Sequence, residues 1–242
     1  MIRTVICIAL ALAVVPLSYA ADSDHGLGQI LVASPTTTFA GKKVSENEIL
    51  KTTGALKTGS EGGAKLKLAG NDVVVEMAAN SEIHIVLPPS GDPSDSIELI
   101  KGKVRVRVPK PKDGERGDSK SDKPRFLLRH RKVTMGVRGT DFLAVATDEL
   151  DETELVVFTG EVAFSKEKDA KDKAPKDTQL VAAGHWSGVG GRFGEKVRPP
   201  MRLAPDALEY YEKLSRSIPN FSLQAVPTEK SPAGAQTTSP GH

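Results

Sequence analysis

The chain has 242 residues, with 33 Lys and Arg against 31 Asp and Glu and a formal net charge of +2. That length holds one large domain or two small ones, and the near-balance of charge gives no electrostatic footprint for nucleic acid. The single cysteine, Cys7, excludes a disulfide scaffold and a multi-Cys zinc site.

Residues 1–20, MIRTVICIALALAVVPLSYA, carry Arg3, an apolar run from Val5 to Val15, and the small residues Ser18 and Ala20 before the expected cut. This pattern predicts a secretory signal peptide removed after Ala20. The apolar run is shorter than the roughly 20 residues a membrane span needs. The expectation is an exported chain, periplasmic or secreted, with no integral span after cleavage. Cys7 leaves with the leader, so no thiolate nucleophile remains.

Residues 21–50 read as a lead-in with the first strands, and residues 51–195 as one β domain. Aromatics are only 5% of the chain and valine is abundant, which favours strands. "KLKLAGNDVVVEM" alternates Leu66 and Leu68, turns at Gly70-Asn71-Asp72, and resumes with Val73, Val75 and Met77. "SEIHIVL", "IELIKGKVRVRV", "RFLLRHRKVTM" and "TELVVFTGEVAF" continue the series. Short strands at regular spacing predict an all-β sandwich, barrel or solenoid.

One repeat stands out: "LIKGKVRV" (99–106) matches "VFTGEVAF" (157–164) position by position, with Gly102 and Gly160 aligned. A repeated strand–Gly–strand unit suggests layers, each burying its face on a neighbour. Each copy is followed by a loop of mixed Lys and Asp that reads as a solvated excursion. Beyond residue 195, Pro205 and Asp206 mark a helix start, and Leu208, Tyr211, Leu214 and Ile218 recur at helical spacing until Pro219. Residues 196–220 are therefore a linker with an amphipathic helix expected to dock on the β domain. Residues 221–242 hold too few apolar groups to offset the cost of ordering.

The stretch "VTMGVRGTDFLAVATDE" (133–149) interrupts a good strand with Arg138, Gly139, Thr140 and Asp141. Gly136 and Gly139 permit a bulge or a positive-φ turn here, and the apolar face shifts from odd-numbered Val133, Met135 and Val137 to even-numbered Phe142, Ala144 and Ala146, as a one-residue insertion would make it. "GVRGTDFLAVATDE" followed by "TELVVFTGEVAF" resembles the hallmark of the FecR domain, the extracytoplasmic domain of ferric-citrate-type regulators and of many exported proteins. "LKTTGALKTGSEGGAKLKLAG", "SEIHIVLPPS", "IELIKGKVRVRV" and "LVAAGHW" agree in order, from about Lys51 to about Ser187. The resemblance implies a twisted β-solenoid-like or stacked β-sandwich domain without catalysis or cofactor. In the transducers of that family the domain follows a cytoplasmic anti-sigma segment and relays a signal from an outer-membrane receptor. Only four residues precede the apolar run here, so an interaction module in envelope signalling or assembly is the expectation. A sensor partner in sigma-factor or iron-uptake signalling is the alternative.

Three roles are open for the interrupted strand. The reading adopted is a structural brace formed by Arg138, Gly139, Thr140 and Asp141, in which Arg138 and Asp141 pair at the bulge; Arg138→Ala then costs about 3–5 kcal/mol if the pair is buried. Capture of a ligand anion by Arg138 is the second role and catalysis the weakest. None of His25, His84, His130, His185 and His242 sits at metal-ligand spacing, and neither a Gly-x-Ser-x-Gly elbow nor an HExxH motif occurs. Trp186, in "GHWSGVGGRFGEK", reads as a core plug or a sugar platform. Lys103, Arg105 and Arg107 share one strand face, as do Arg125, Arg129 and Arg131. If the two strands are neighbours, they form a cationic stripe able to hold an anionic polysaccharide; otherwise they are solvated faces that block aggregation. The expected partner is an envelope protein or such a polysaccharide, with no metal.

Overall fold

The computed structural model describes residues 26–69, 72–86, 95–110, 124–166 and 177–216. The leader, both charged loops, Ile218, Pro219 and the tail lie outside the described residues. The chain winds between two stacked sheets. It opens in the first sheet with β1 (Gly28–Ala33) and crosses to the second for β2 (Thr38–Phe39) and β3 (Lys42–Lys43). It returns for β4 (Ile49–Leu50), crosses for β5 (Gly54–Lys57), and returns for the hairpin of β6 (Ala64–Leu68) and β7 (Val74–Met77). Next come β8 (Glu82–Val86) in the second sheet and β9 (Asp95–Arg107), which belongs to both. Hairpins β10 (Phe126–His130)–β11 (Val133–Val137) and β12 (Asp141–Thr147)–β13 (Glu152–Thr159) follow, one per sheet. The series ends with β14 (Glu161–Lys166) and β15 (Asp177–Ala182) in the second sheet, then β16 (His185–Val189) and β17 (Met201–Arg202) in the first. Helix α1 spans Pro205–Arg216.

The fold is thus an all-β stack with one short C-terminal helix, as expected, and it is not a closed barrel. Strands ahead of residue 51 pair with those beyond it, β1 with β6 and β2 with β5. The first sheet is antiparallel throughout; the second contains one parallel pair, β9 with β10. Alternation aims one face of the longer strands inward. Leu56, Leu66, Met77, Ile83, Leu99, Val104, Phe126, Met135, Phe142, Leu155 and Phe164 form one apolar cluster between the sheets. Each large side chain buried this way contributes roughly 1.5–3 kcal/mol.

The repeated glycines are corners where the chain changes sheet. β9 pairs with β8 before Gly102 and with β7 and β12 after it; Gly160 joins β13 to β14. Their φ values are +93° and +81°, and Gly139 turns the β11–β12 corner at +69°, conformations that favour glycine. Corners stack on corners: Ser81 Oγ donates to Lys103 O (3.2 Å) and accepts from Lys103 N (3.0 Å), while Thr58 Oγ1 donates to Ala78 O (2.6 Å) and accepts from Ser81 N (3.0 Å). These hydroxyls satisfy backbone groups that a sheet ladder leaves orphaned at each crossing. Of the bulge and the positive-φ turn expected between Val137 and Phe142, the turn is present, at Gly139, and the phase shift has another cause than a one-residue insertion. β11 and β12 lie in opposite sheets, and the inward direction reverses at the corner. A bulge does occur nearby, on β13: Asp141 faces Thr159 and Phe142 faces Val157, leaving Phe158 unpaired.

Candidate functional site

Adjacent strands of the first sheet bring charges together on its outer face. Strand register places Glu76 of β7 beside Arg105 of β9, and Arg107 of β9 beside Asp141 of β12. Arg105 Nε and Nη2 donate to the two Asp141 carboxylate oxygens at 2.8 Å each. Arg107 Nε reaches the same carboxylate at 3.4 Å, and its Nη1 donates to Glu76 at 2.6 Å. Lys65 of β6 closes on Glu76 at 3.2 Å. The chain of pairs crosses four strands and ends at the helix, where Arg105 Nη1 donates to Ser215 Oγ at 2.9 Å. The bulged Phe158 lies under the guanidinium, 4.4 Å from its carbon to the ring centre, a cation–π contact.

The Arg105 side chain is 7% exposed and that of Asp141 18%. Burial works against the Arg105 charge, but the hydrogen bonds and charge of Asp141 outweigh it, with Glu76 and Glu212 adding, so its pKa lies above the ordinary value. Planar, bidentate and sheltered, this is the geometry in which arginine cannot be exchanged for lysine. Both carboxylates are engaged by cations. The arrangement ties strands and helix together.

The brace was expected between Arg138 and Asp141; the bonds seen at Asp141 come from Arg105 and Arg107. Gly139 and Thr140 are buried at the corner, but Arg138 is exposed, and Asp141 turns its carboxylate to the outer face of the first sheet, where Arg105 and Arg107 meet it. Arg138 precedes the crossing and Asp141 follows it, so strand register rather than sequence proximity brings Arg105 and Arg107 to Asp141. An open hollow of about 320 Å³ flanks this corner, lined by Arg107, Lys110, Gly139, Thr140, Asp141 and Thr159.

The cationic stripe is corrected as well. Lys103, Arg105 and Arg107 sit in the half of β9 that pairs with β7 and β12, whereas β10 pairs with the other half, setting Arg129 opposite Glu98 in the second sheet. Arg105 and Arg107 are neutralised by Asp141 and Glu76, and Lys103 is only half-exposed. Arg131, at the β10–β11 turn, bonds Asp148 and lies 3.1 Å from Asp151. One surface is thus split between two sheets and its charge largely spent. Arg129 alone among these residues stays an exposed cation on a regular strand.

Sequence reading missed a second buried charge. Glu152, 2% exposed, accepts from the Arg192 backbone N–H at 2.8 Å and pairs with Arg192 Nε at 3.3 Å. Arg192 also holds Glu154 at 3.0 Å and lies over Phe193 at 4.8 Å. Trp186 is neither core plug nor open platform. Half-buried on the outer face, it donates to Glu154 Oε2 at 3.1 Å and meets Phe193 edge-on at 5.2 Å. Leu143 and Val156, each 1% exposed, lie in register between Arg105 and Trp186 and stand apart from the inter-sheet cluster. Helix α1 docks on its own β domain at the Arg105 end of this row, through Ser215, as its periodicity predicts. The only sequence signal was the pair of apolar residues at outward positions.

His130 is 1% exposed, with Nδ1 2.7 Å from Thr153 Oγ1 and Nε2 buried without a partner. Burial, reinforced by Arg131, lowers its pKa below the usual 6.5. The unfolded chain then binds more protons than the folded one between the two values. Stability is expected to be flat above pH 6.5 and to fall as pH drops below it; melting curves at stepped pH check this, and His130→Gln should flatten the decline.

Among the described residues the buried Arg105 and Glu152 side chains are both paired. Residues 54–163 match the family model described as FecR protein, so this stretch is a FecR domain. Among curated proteins none matches. Two crystal structures of a candidate anti-sigma factor from Parabacteroides distasonis ATCC 8503, at 2.50 and 1.65 Å, are similar. The first shares 15% identity at a TM-score of 0.50 and covers 66% of this chain; this chain spans 65% of its length. The second shares 15% identity at 0.49, with coverages of 65% and 64%. At such identity the likeness concerns the fold.

Proposed function

We propose that the chain is an exported, non-catalytic FecR-type module that makes protein contacts in cell-envelope signalling or assembly. The FecR match over residues 54–163 carries this reading. The leader supports export, and the paired charges of the Arg105–Asp141 network support a mechanical role over a chemical one. A second reading, a sensor partner in sigma-factor signalling, draws on the candidate anti-sigma factor that shares the fold. Binding of an anionic polysaccharide loses support because the stripe is split and neutralised.

The test combines export with capture. The chain fused ahead of alkaline phosphatase should give phosphatase activity, and the processed protein should begin at Ala21. Cross-linking in intact cells should recover a specific envelope protein. Phosphatase silence would end the export reading. Salt-sensitive retention on an anionic glycan, with no cross-linked protein, would replace the protein-contact reading.

A further inference from the structure

The four sheet edges are not alike. In the first sheet the outermost strands β4 and β17 have two residues each, and β17 carries Arg202. In the second sheet one outermost strand is β3, two exposed lysines. Short strands and edge lysines are devices that stop unpaired backbone groups from recruiting another strand. Among the described residues the remaining edge, β15, is neither short nor lysine-lined; its one charge, Asp177 at the start, accepts from the Val197 N–H at 2.8 Å. It runs six residues, Asp177–Ala182, in unbroken register with β14, from Lys166 opposite Asp177 to Glu161 opposite Ala182. No proline, bulge or charge lies between Thr178 and Ala182. Its outward backbone edge is paired with no strand among the described residues. At its centre Leu180 is 60% exposed, next to Ala163 of β14, and Ala163 is next to Gly136 of β11. An apolar residue thus crowns a small-residue floor at an open edge.

We propose that β15 pairs antiparallel with β15 of a second copy of this chain, about a two-fold axis passing through Leu180. A two-fold perpendicular to the sheet keeps each residue on its own face, so paired positions must share parity. Centring on Leu180 sets Leu180 against Leu180, Gln179 against Val181 and Thr178 against Ala182. Every pair is uncharged, and the next places Asp177 opposite Ala183, so no like charges meet. The strand is therefore complementary to itself, which a closed two-fold interface requires and a foreign strand would not. The second sheet becomes continuous through the dimer, and the two leucines cover each other. This inference uses neither the export nor the signalling reading.

Sedimentation of the processed full chain across the micromolar range should show a concentration-dependent monomer–dimer equilibrium. Leu180→Lys places two ammonium groups on the axis and should weaken dimerisation about 100-fold or more. Its melting transition, read at the monomer limit, should match that of wild-type monomer because the position is exposed. In a Cys7→Ser background, Leu180→Cys should oxidise to a cross-linked dimer, since directly opposed strand residues lie within disulfide reach. Thr178→Cys alone should not cross-link, whereas Thr178→Cys mixed with Ala182→Cys should. A monomer at every concentration, a dimer indifferent to Leu180→Lys, or cross-linking by Thr178→Cys alone would each overturn the proposal. Protection of β15 amides from exchange only when envelope extract is added would overturn it in favour of a strand from another protein.

Discussion

Arg105→Ala should destabilise the domain by about 3–5 kcal/mol, the usual cost of removing one partner from a buried ion pair. At roughly 2–4 °C per kcal/mol for a chain of this size, the melting temperature should fall by roughly 10 °C. The loss has three parts. Asp141, 18% exposed, loses both 2.8 Å bonds and keeps the longer 3.4 Å contact from Arg107. Ser215 loses the donor that fastens α1 to β9. Phe158 loses the cation above its ring. Asp141→Ala should be comparably severe, because it strands a guanidinium beneath the helix. Arg138→Ala should change stability by only about 0–1 kcal/mol, as expected of an exposed charge. Thermal melts of the three variants decide between the two assignments: a large loss at Arg138 with none at Arg105 would restore the brace expected from sequence. Replacing both partners with apolar residues of similar size should recover much of the stability, since a buried pair contributes little net free energy over a well-packed apolar substitute.

Gly102→Ala should cost about 3–5 kcal/mol, combining a non-glycine residue at positive φ with overpacking. An added Cβ would lie 2.6 Å from Ser81 Cα and 2.7 Å from Ser81 Cβ. Ser81 cannot retreat, because its hydroxyl bonds both backbone groups of Lys103 and its own N–H donates to Thr58. Gly184→Ala is the control, with φ +75° but no atom within 4 Å; its cost should be the backbone term alone, roughly 1–2 kcal/mol. Equal melting temperatures for the two variants would remove the stacked-corner account. Urea midpoints with unchanged slope would show that both act on the folded state.

The contrast between these variants marks what local pattern contains. Alternation predicts which face of "KVRVRV" is apolar, and Val104 and Val106 are buried where it places them. The same alternation sends Arg105 outward, and outward means solvent only when nothing lies above. Here α1 lies above, so a residue assigned to a surface stripe is a buried one. The phase change at Gly139 was legible as a break in period, but a bulge and a change of sheet give the same signal along the chain. The hydroxyl ladder at the corners left no mark, because Ser and Thr occupy ordinary turns as often as stacked ones.

By itself the sequence determined the strands, their inward residues, the glycines at the corners, the amphipathic helix and the resemblance that the FecR match bears out over residues 54–163. These are properties of neighbouring residues: period two, period three to four, and the freedom of glycine at positive φ. Only the tertiary structure decided which charges meet. Arg105 is 36 residues from Asp141 and 110 from Ser215, and Glu152 is 40 from Arg192. Partners at such separations are set by strand register and by the order in which strands stack. Those arise from the joint burial of the whole core, which no local stretch encodes.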